Sequence, residues 1–250
     1  ELITRSSAME DLLAQERGKS VGILNGIDND VWNPSADAML EKQFSVKTVE
    51  AGKKANKAAL CSVFNLDPEK PLYTFIGRLV GEKGADLLPD IFYNALHQAN
   101  GDINVLVLGS GDPQVEGRLN HLKDVFPGNY NAYIGYNEQL SHQIYAGADF
   151  LLMPSRVEPC GLNQMYALRY GTIPIVRRIG GLKDTVIDIG DAGFGICHDQ
   201  TSVWDVNHAM GRAYELYLDK KKVKEIRKFM MQLDHSWDNA AQQYIDLYQI

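Results

Sequence analysis

A single carboxylate, Glu158, stands among residue types that suit a phosphorylated sugar. It follows the apolar run FLLMP at 150–154 and precedes an amphipathic segment, which predicts a strand-to-helix corner. Open α/β sheets bind ligands at such corners, outside the carboxyl ends of their strands. Glu158 can therefore accept hydrogen bonds from a polyol. The alternative interpretation is an acidic residue that stabilises its own helix N-terminus.

The residues after Glu158 suit the approach of an anion. Cys160 and Gly161 are small, and the backbone N–H groups of Gly161, Leu162 and Asn163 would open the predicted helix. A helix start of this kind favours negative charge. Two cations, Arg177 and Arg178, follow the next apolar run. The pattern predicts that carboxylate, amides and cations converge on one edge of the sheet.

Two cations also follow the predicted strand LYTFIG at 72–77. They are Arg78 and Lys83, in a loop that contains Gly81 and Gly84. Cations at the carboxyl end of a strand suit a diphosphate, because they neutralise the charge that builds on a leaving nucleotide. The alternative is an ordinary solvated loop.

The segment LGSGDP at 108–113 has the composition of a phosphate-binding loop. The dinucleotide pattern GxGxxG requires a third glycine at position 114, where this chain has Gln114. A dehydrogenase is therefore disfavoured. We expect a tight turn with Asp112 capping the next helix, and a supporting role beside the ligand for Gly109 and Gly111.

Tyr136 and Asn25 each have a binding interpretation and a structural one. Tyr136 follows a short predicted strand, where its ring suits stacking on a base or packing on its neighbours. Asn25 precedes a glycine, so it is either a hydrogen-bonding group for a sugar hydroxyl or part of an Asn-Gly turn.

Short apolar runs alternate with helix-length amphipathic segments, which predicts a doubly wound, Rossmann-like parallel sheet. Predicted strands are 72–77, 103–109, 132–135, 150–154, 172–177 and 193–197. Predicted helices are 54–64, 84–98, 114–124, 138–147, 162–170, 204–217, 220–230 and 237–249. The first twenty residues predict a helix, and a connector follows to about residue 38. Ser236 is the predicted cap of the last helix.

Composition excludes several classes of protein. With 250 residues, 45% of them hydrophobic, the chain can bury one substantial core, and its net charge of −7 disfavours a nucleic-acid partner. Three widely spaced cysteines predict neither disulfides nor a zinc site, and no apolar run is long enough to span a membrane.

No catalytic triad is apparent among the histidines. We therefore expect surface or helix-terminal roles for all six: His97, His121, His142, His198, His208 and His235.

Six ordered segments together resemble the bacterial glycogen synthases and plant starch synthases, which are retaining glucosyltransferases of the GT-B fold. They are GILNGIDNDVWNP (22–34), IGRLVGEKGADLL (76–88), LGSGDP (108–113), IGY (134–136), the run EPCGL to GGLKDT (158–185) and HSWDNAAQQYIDLY (235–248). The resemblance implies the carboxyl-terminal half of such an enzyme. Residues 39–235 would then form the nucleotide-sugar donor domain, after the end of a missing amino-terminal domain and a connector at 1–38. Residues 236–250 would form a helix that crosses back toward the missing domain.

The resemblance also implies a role for each matching residue. Arg78 and Lys83 would hold the donor's diphosphate, with the amides at 161–163 and the Gly180–Gly181 turn completing that pocket. Tyr136 would lie beside the adenine, and Asn25 and Glu158 beside the glucosyl unit. Tyr166 stands where the wider retaining group has a second glutamate. One carboxylate supports front-face transfer rather than double displacement.

The implied reaction transfers glucose from ADP-glucose to an α-1,4-glucan, which binds mainly through the missing domain. We expect ADP as the nucleotide product, no metal or organic cofactor, and a bacterial cytoplasmic location, or a plastid if a transit peptide precedes the chain. The 250 residues alone would bind nucleotide weakly without elongating glucan. The alternatives are a noncatalytic nucleotide-sugar binding module and another GT-B enzyme such as a phosphorylase, although no motif for its pyridoxal-phosphate lysine is evident.

Overall fold

A computed structural model of the chain describes residues 10–249 and contains a six-stranded sheet in which every neighbouring pair is parallel. The order is β3-β2-β1-β4-β5-β6. The strands are β1 Leu72–Leu79, β2 Asn104–Gly111, β3 Tyr130–Ile134, β4 Phe150–Met153, β5 Ile173–Arg177 and β6 Ile196–His198. The predicted doubly wound, Rossmann-like fold is confirmed.

Helices cover the sheet and account for the predicted alternation. They are α1 Glu10–Gln15, α2 Val49–Phe64, α3 Leu88–Ala99, α4 Pro113–Val125, α5 Glu138–Gly147, α6 Asn163–Arg169, α7 Gly180–Thr185, α8 Val203–Leu218, α9 Lys220–Met230 and α10 Trp237–Tyr248. The predicted helix at 84–98 was wrong in its first turn, because Ala85–Leu87 form a 3₁₀ turn and the α-helix begins only at Leu88. The reason is that Gly84 has φ +69° and Pro89 suits the start of an α-helix. Of the helix predicted in the first twenty residues, positions 1–9 lie outside the described range.

The core lies on both faces of the sheet. All four residues of β4 are buried, as are the first four of β1, because helices cover the strands on each side. The aromatic rings of Tyr73 and Phe150 stack in this core with their centroids 4.9 Å apart. This packing explains why the central strands are continuous apolar runs in the sequence.

The strand order reverses between β1 and β4. The connection from β1 runs to β2, on one side, whereas the connection from β4 runs to β5, on the other. The loops after these two neighbouring strands therefore diverge and leave a crevice at their carboxyl ends. Arg78 lies near the end of β1, and Glu158 follows β4. The topology thus places the two predicted groups at the same crevice.

An ionic cluster joins the elements at the opposite edge of the sheet. Asp149, which directly precedes β4, is 4% exposed. Its carboxylate accepts hydrogen bonds from Lys57 at 2.7 Å, from Arg227 at 2.7 Å and from the backbone N–H of Leu72 at 2.9 Å. One carboxylate therefore links α2, α9 and the start of β1.

The connector crosses the start of the last helix. The Ile27 N–H donates to the His235 carbonyl at 2.8 Å, and a Cβ on Gly26 would clash with the backbone of Trp237. Ser236 caps α10, as predicted, by accepting from the Asn239 N–H at 3.3 Å. Several large apolar side chains of α10 are exposed: Trp237, Tyr244, Ile245, Leu247 and Tyr248. Among residues 10–249, no helix has both the length and the apolar character needed to cross a membrane.

Candidate functional site

Two adjoining cavities occupy the crevice between β1 and β4. The larger has a volume of about 310 Å³ and the smaller about 220 Å³. Four residues line both of them: Ile76, Gly77, Arg78 and Asn163. Arg78 therefore stands at the junction. Its side chain is 69% exposed, and its nearest acidic partner is Glu82 at 3.7 Å.

The smaller cavity holds the ion pair of Lys83 with Glu158. Glu158 is 6% exposed, and its Oε2 also accepts a hydrogen bond from the Ser155 hydroxyl at 3.3 Å. A buried carboxylate requires partners of this kind to offset its lost hydration. The structure thus brings Arg78, Lys83 and Glu158 together around one cavity, although their positions span 81 residues of sequence.

Gly84 positions Lys83 by letting the loop pass close to the end of β4. Its φ is +69°, and a Cβ there would clash with the Pro154 carbonyl oxygen. The carbonyl of Glu82 accepts hydrogen bonds from the N–H groups of Arg156 at 2.8 Å and Val157 at 3.3 Å. The loop after β1 is therefore attached to the segment that carries Glu158.

We expect Gly84→Ala to lower the stability of the protein and displace Lys83 from Glu158. The left-handed backbone conformation alone costs a non-glycine residue about 1–2 kcal/mol, and the contact with Pro154 adds to this. Chemical denaturation measures the loss. The matched control is Gly81→Ala, where no atom lies within 4 Å of an added Cβ. Equal stability of the two variants would contradict this role for Gly84.

The larger cavity has an aromatic wall built around Trp32. The indole stacks on Tyr166 at 3.8 Å and on His142 at 3.9 Å between centroids, with interplanar angles of 18° and 12°. Burial raises the pKa of Tyr166, so its phenol stays neutral at physiological pH. Sequence reasoning missed Trp32 and the wall. The available signal was a tryptophan inside the connector motif GILNGIDNDVWNP.

A buried polar network holds the wall in place. Asp37 Oδ2 lies 2.7 Å from His142 Nδ1 and accepts a hydrogen bond from the Tyr170 hydroxyl at 2.6 Å. The prediction of a surface or helix-terminal role was wrong for His142, which is 1% exposed inside α5. It was also wrong for His198, whose burial lowers its pKa. Neither position shows an apolar periodicity that would have predicted burial.

The predicted anion site at the start of α6 stays a prediction, and the backbone there leaves N–H groups available for it. The N–H groups of Gly161 and Leu162 make no backbone hydrogen bond within the described chain, and Gly161 has φ +73°. The Asn163 side chain is already used, because it donates to the Ile76 carbonyl at 2.7 Å. Leu162 and Asn163 line the smaller cavity. The α6 segment is thereby held against the end of β1.

The predicted contribution of Gly181 to the anion pocket needs correction. Its N–H donates to the carbonyls of Glu158 at 3.1 Å and Pro159 at 3.2 Å, so it is not available to a phosphate. A Cβ on Gly181 would clash with the Cys160 carbonyl, which shows that α7 packs directly on the Glu158 loop. Gly180 has φ +48° and begins this short helix. Neither glycine lines the two cavities.

Gly109 and Tyr136 lie in the larger cavity, as a nucleotide-binding role requires. The Tyr136 side chain is 83% exposed, so its ring is accessible from the cavity. Gly109 pairs with Gly77, and a Cβ would clash with the Gly77 carbonyl. Gly111 lies outside both cavities, and its N–H donates to Glu116 at 2.7 Å. The predicted cap is confirmed, since Asp112 accepts from the Gln114 N–H at 2.8 Å.

Sequence comparison identifies the family to which this site belongs. A family model described as Glycosyl transferases group 1 matches residues 57–228, which include both cavities apart from Trp32. The chain belongs to this family.

Individual members of this glycosyl transferase family confirm the predicted resemblance. The glycogen synthase of Flavobacterium johnsoniae is 54% identical over 245 residues, which cover 98% of the chain and 52% of that protein. The glycogen synthase of Mannheimia succiniciproducens is 42% identical over 241 residues, covering 93% and 50%. The chain thus spans about half the length of the curated relatives it matches.

A solved structure matches over almost the whole chain. It is the catalytic domain of starch synthase IV from Arabidopsis thaliana bound to ADP and acarbose, with a TM-score of 0.90 and 36% identity. The match covers 98% of this chain and 51% of that one. The six-stranded domain of this glycosyl transferase therefore has the fold of the carboxyl-terminal half of a GT-B enzyme, as predicted.

Besides the glycines at 111, 161, 180 and 181, four residues of this glycosyl transferase that the sequence singled out also lie outside both cavities. Asn25 is exposed, and its assignment to a sugar hydroxyl stays a prediction. The Cys160 carbonyl accepts from the Gln164 side chain at 3.0 Å. Arg177 donates to the carbonyls of Asp199 and Arg156. Arg178 faces acidic residues, including Asp191 at 3.5 Å. Arg177 ends β5 and Arg178 follows it, so both lie at the predicted edge of the sheet, but neither lines the two cavities.

Proposed function

We propose that the chain is the donor-binding half of a glucosyltransferase that transfers glucose from ADP-glucose to the non-reducing end of an α-1,4-glucan with retention of configuration. One observation carries the proposal. A cavity with an aromatic wall joins, at Arg78, a cavity that contains Lys83 paired with a buried Glu158. The dimensions and chemistry of this pair suit a nucleoside diphosphate linked to a sugar.

The chemistry of the cavities orients the donor. The adenosine occupies the larger cavity, where Tyr136, Tyr145 and Tyr166 supply aromatic surface for a base. The diphosphate passes Arg78 at the junction and reaches the smaller cavity, which Leu162 also lines. The glucosyl unit enters the smaller cavity, and Glu158 accepts hydrogen bonds from its hydroxyls.

Two cations assist departure of the nucleotide. Arg78 and Lys83 neutralise the negative charge that develops on the diphosphate as the glycosidic bond breaks. Among the described residues that line the smaller cavity, Glu158 is the one carboxylate. A double displacement needs a nucleophile and a separate acid, so this cavity supports front-face transfer instead. The leaving diphosphate then takes the proton of the acceptor hydroxyl.

The glucan acceptor binds mainly to the amino-terminal half of the complete protein. The chain spans about half of each similar glycogen synthase, and several apolar side chains of α10 are exposed. We infer that residues 1–38 connect the two halves, that 39–235 form the donor domain, and that 236–250 return toward the other half. We assign the enzyme to the bacterial cytoplasm, because the similar glycogen synthases are bacterial. The donor half alone would not elongate glucan.

Calorimetric titration tests the ligand class. We expect saturable binding of ADP-glucose or ADP, weaker binding of UDP-glucose, and none of NAD or pyridoxal phosphate. Retention of the anomeric configuration is checked by NMR of the first product formed. Tight binding of NAD or pyridoxal phosphate instead of ADP-glucose would overturn the proposal in favour of a dehydrogenase or a phosphorylase. Binding of ADP-glucose by the complete protein without any transfer would favour a noncatalytic module.

Replacing Arg78 separates diphosphate binding from structure. We expect Arg78→Ala to weaken ADP binding by about tenfold or more, since a charge-assisted contact to an anion contributes roughly 1.5–3 kcal/mol. Because the side chain is 69% exposed, the unfolding midpoint should stay unchanged. Arg118→Ala is a matched control with a surface ion pair to Asp90. Unchanged ADP affinity in Arg78→Ala would exclude Arg78 from the phosphate site.

A further inference from the structure

A second groove runs between α3 and α8, and none of its lining residues lines the donor cavities. It consists of two cavities of about 310 and 420 Å³ that meet at Gln98 and Asn207. Trp204 lines one end and Tyr214 the other. These two residues lie about 15 Å apart along the axis of α8, at 1.5 Å per residue. The groove is therefore long enough for several linked sugar units.

The walls of the groove combine an exposed aromatic ring with neutral hydrogen-bonding groups. Trp204 is 76% exposed, and its ring is stacked with that of His208 at 5.7 Å between centroids. Asn94, Gln98 and Asn207 contribute side-chain amides, each with donor and acceptor atoms. The amide oxygen of Asn207 is buried and has no hydrogen-bond partner within the described chain. Unused hydrogen-bonding capacity therefore lies where the two cavities meet.

These groups match the two chemical faces of a neutral sugar. The C–H face of a pyranose ring is apolar and suits the indole, whereas its hydroxyls suit the amides. The charged residues that line the groove, Asp102 and Glu215, are both acidic. They disfavour phosphorylated sugars and nucleic acids, which are anions. An uncharged polyhydroxylated ligand is thus the chemistry that the groove fits best.

The floor of the groove is attached to the sheet by a buried hydrogen bond and has unfilled space. The buried Tyr73 hydroxyl donates to the Met210 carbonyl of α8 at 3.0 Å, which holds the helix against the sheet. Gly211 follows, and no atom lies within 4 Å of the position that its Cβ would occupy. A larger residue at 211 would therefore enter the groove without displacing the protein.

We propose that this groove is a second α-glucan site, which holds a chain of the polymeric substrate away from the point of glucosyl transfer. The proposal rests on the proposed function for the identity of the polymer. A glucan held there keeps the enzyme on its substrate and raises the local concentration of acceptor ends. Short acceptors, which cannot reach both sites, gain nothing from the groove.

The test uses the complete protein and fills the groove with Gly211→Phe. The matched control is Gly117→Phe, since Gly117 also lies in a helix, α4, and has no atom within 4 Å of its added Cβ. Affinity electrophoresis in gels that contain glycogen should show about tenfold weaker binding for Gly211→Phe, which fills the groove, and for Trp204→Ala, which removes its exposed aromatic contact. Gly117→Phe should bind as the wild type does. Transfer from ADP-glucose to maltotriose should be unchanged in all three variants.

The outcomes separate this proposal from the function on which it rests. Equal retardation of Gly211→Phe, Gly117→Phe and wild type by glycogen would overturn the second site, even if glucosyl transfer proceeds. A change in oligomeric mass on filling the groove, without a change in glycogen binding, would overturn it in favour of a protein partner. Loss of glycogen binding in Gly211→Phe, in a protein that transfers no glucose, would support the groove while rejecting the proposed reaction.

Discussion

Glu158→Gln is expected to lower kcat for glucosyl transfer from ADP-glucose by about 10²–10³-fold in the complete enzyme, the range seen when one transition-state hydrogen-bonding group is removed. The substitution keeps the size of the side chain but removes the charge that pairs with Lys83. It also replaces one acceptor oxygen with a donor, in a side chain that is 93% buried. The glucosyl hydroxyls then lose an anionic partner as positive charge develops on the sugar ring.

A matched glutamate in the same loop region separates this effect from a general loss of charge. The Glu82 side chain is 69% exposed and lies outside both cavities, so Glu82→Gln should keep kcat within about twofold of wild type. The unfolding midpoints of both variants identify any loss of folded protein. Near-normal turnover of a folded Glu158→Gln enzyme would reject the assigned role, as would an equal loss in Glu82→Gln.

Asp149→Asn is expected to lower the free energy of unfolding by about 3–5 kcal/mol, the largest effect on stability predicted for this chain. The reason is that removing one partner of a buried ion pair leaves the other charge uncompensated. Lys57 and Arg227 each lie 2.7 Å from the carboxylate and both lose this contact, although Arg227 keeps a second ion pair with Glu50 at 3.2 Å. Urea denaturation with linear extrapolation measures the loss. Asp124→Asn is the matched control, because that side chain is 85% exposed and its removal should change stability by less than about 0.5 kcal/mol.

The effect of Asp149→Asn should also depend on pH in a defined direction. Burial alone would raise the pKa of Asp149, but the charges of Lys57 and Arg227 outweigh it and hold the pKa below its ordinary value. Stability from a depressed carboxyl pKa is fully present above the unfolded pKa of about 3.9 and is lost as the pH falls through the folded pKa. The difference in the free energy of unfolding between wild type and Asp149→Asn should therefore become smaller below about pH 4. A difference that stays constant would show that charge is not its cause.

Local sequence was sufficient to predict the sheet and the position of Glu158. A buried parallel strand is a short apolar run, and FLLMP at 150–154 has no competing interpretation as a helix of that length. Once the strands alternate with helices, their carboxyl ends must share an edge, which places Arg78, Lys83 and Glu158 along that edge, and the family resemblance implied that they hold one donor. The ion pair between Lys83 and Glu158 depends in addition on how Gly84 approaches Pro154. That contact between distant segments has no local signature.

The aromatic wall was beyond prediction because it forms from separated parts of the chain. Trp32 lies in the connector, His142 in α5 and Tyr166 in α6, and only tertiary packing stacks them. The prediction that Gly181 contributes to the anion pocket was wrong for a related reason. A Gly-Gly turn indicates a close backbone approach, but it does not show whether a ligand or the chain itself is approached. In the structure the neighbour is the Cys160 carbonyl.

The structure of the complete protein with bound ADP-glucose tests the central claim most directly. The account predicts that the adenine lies in the larger cavity between Tyr136 and the Trp32 wall, with the diphosphate at Arg78. The glucosyl hydroxyls should lie within hydrogen-bonding distance of Glu158. A nucleotide bound elsewhere, or a glucosyl unit that does not contact Glu158, would contradict the assignment of these two cavities as one donor site.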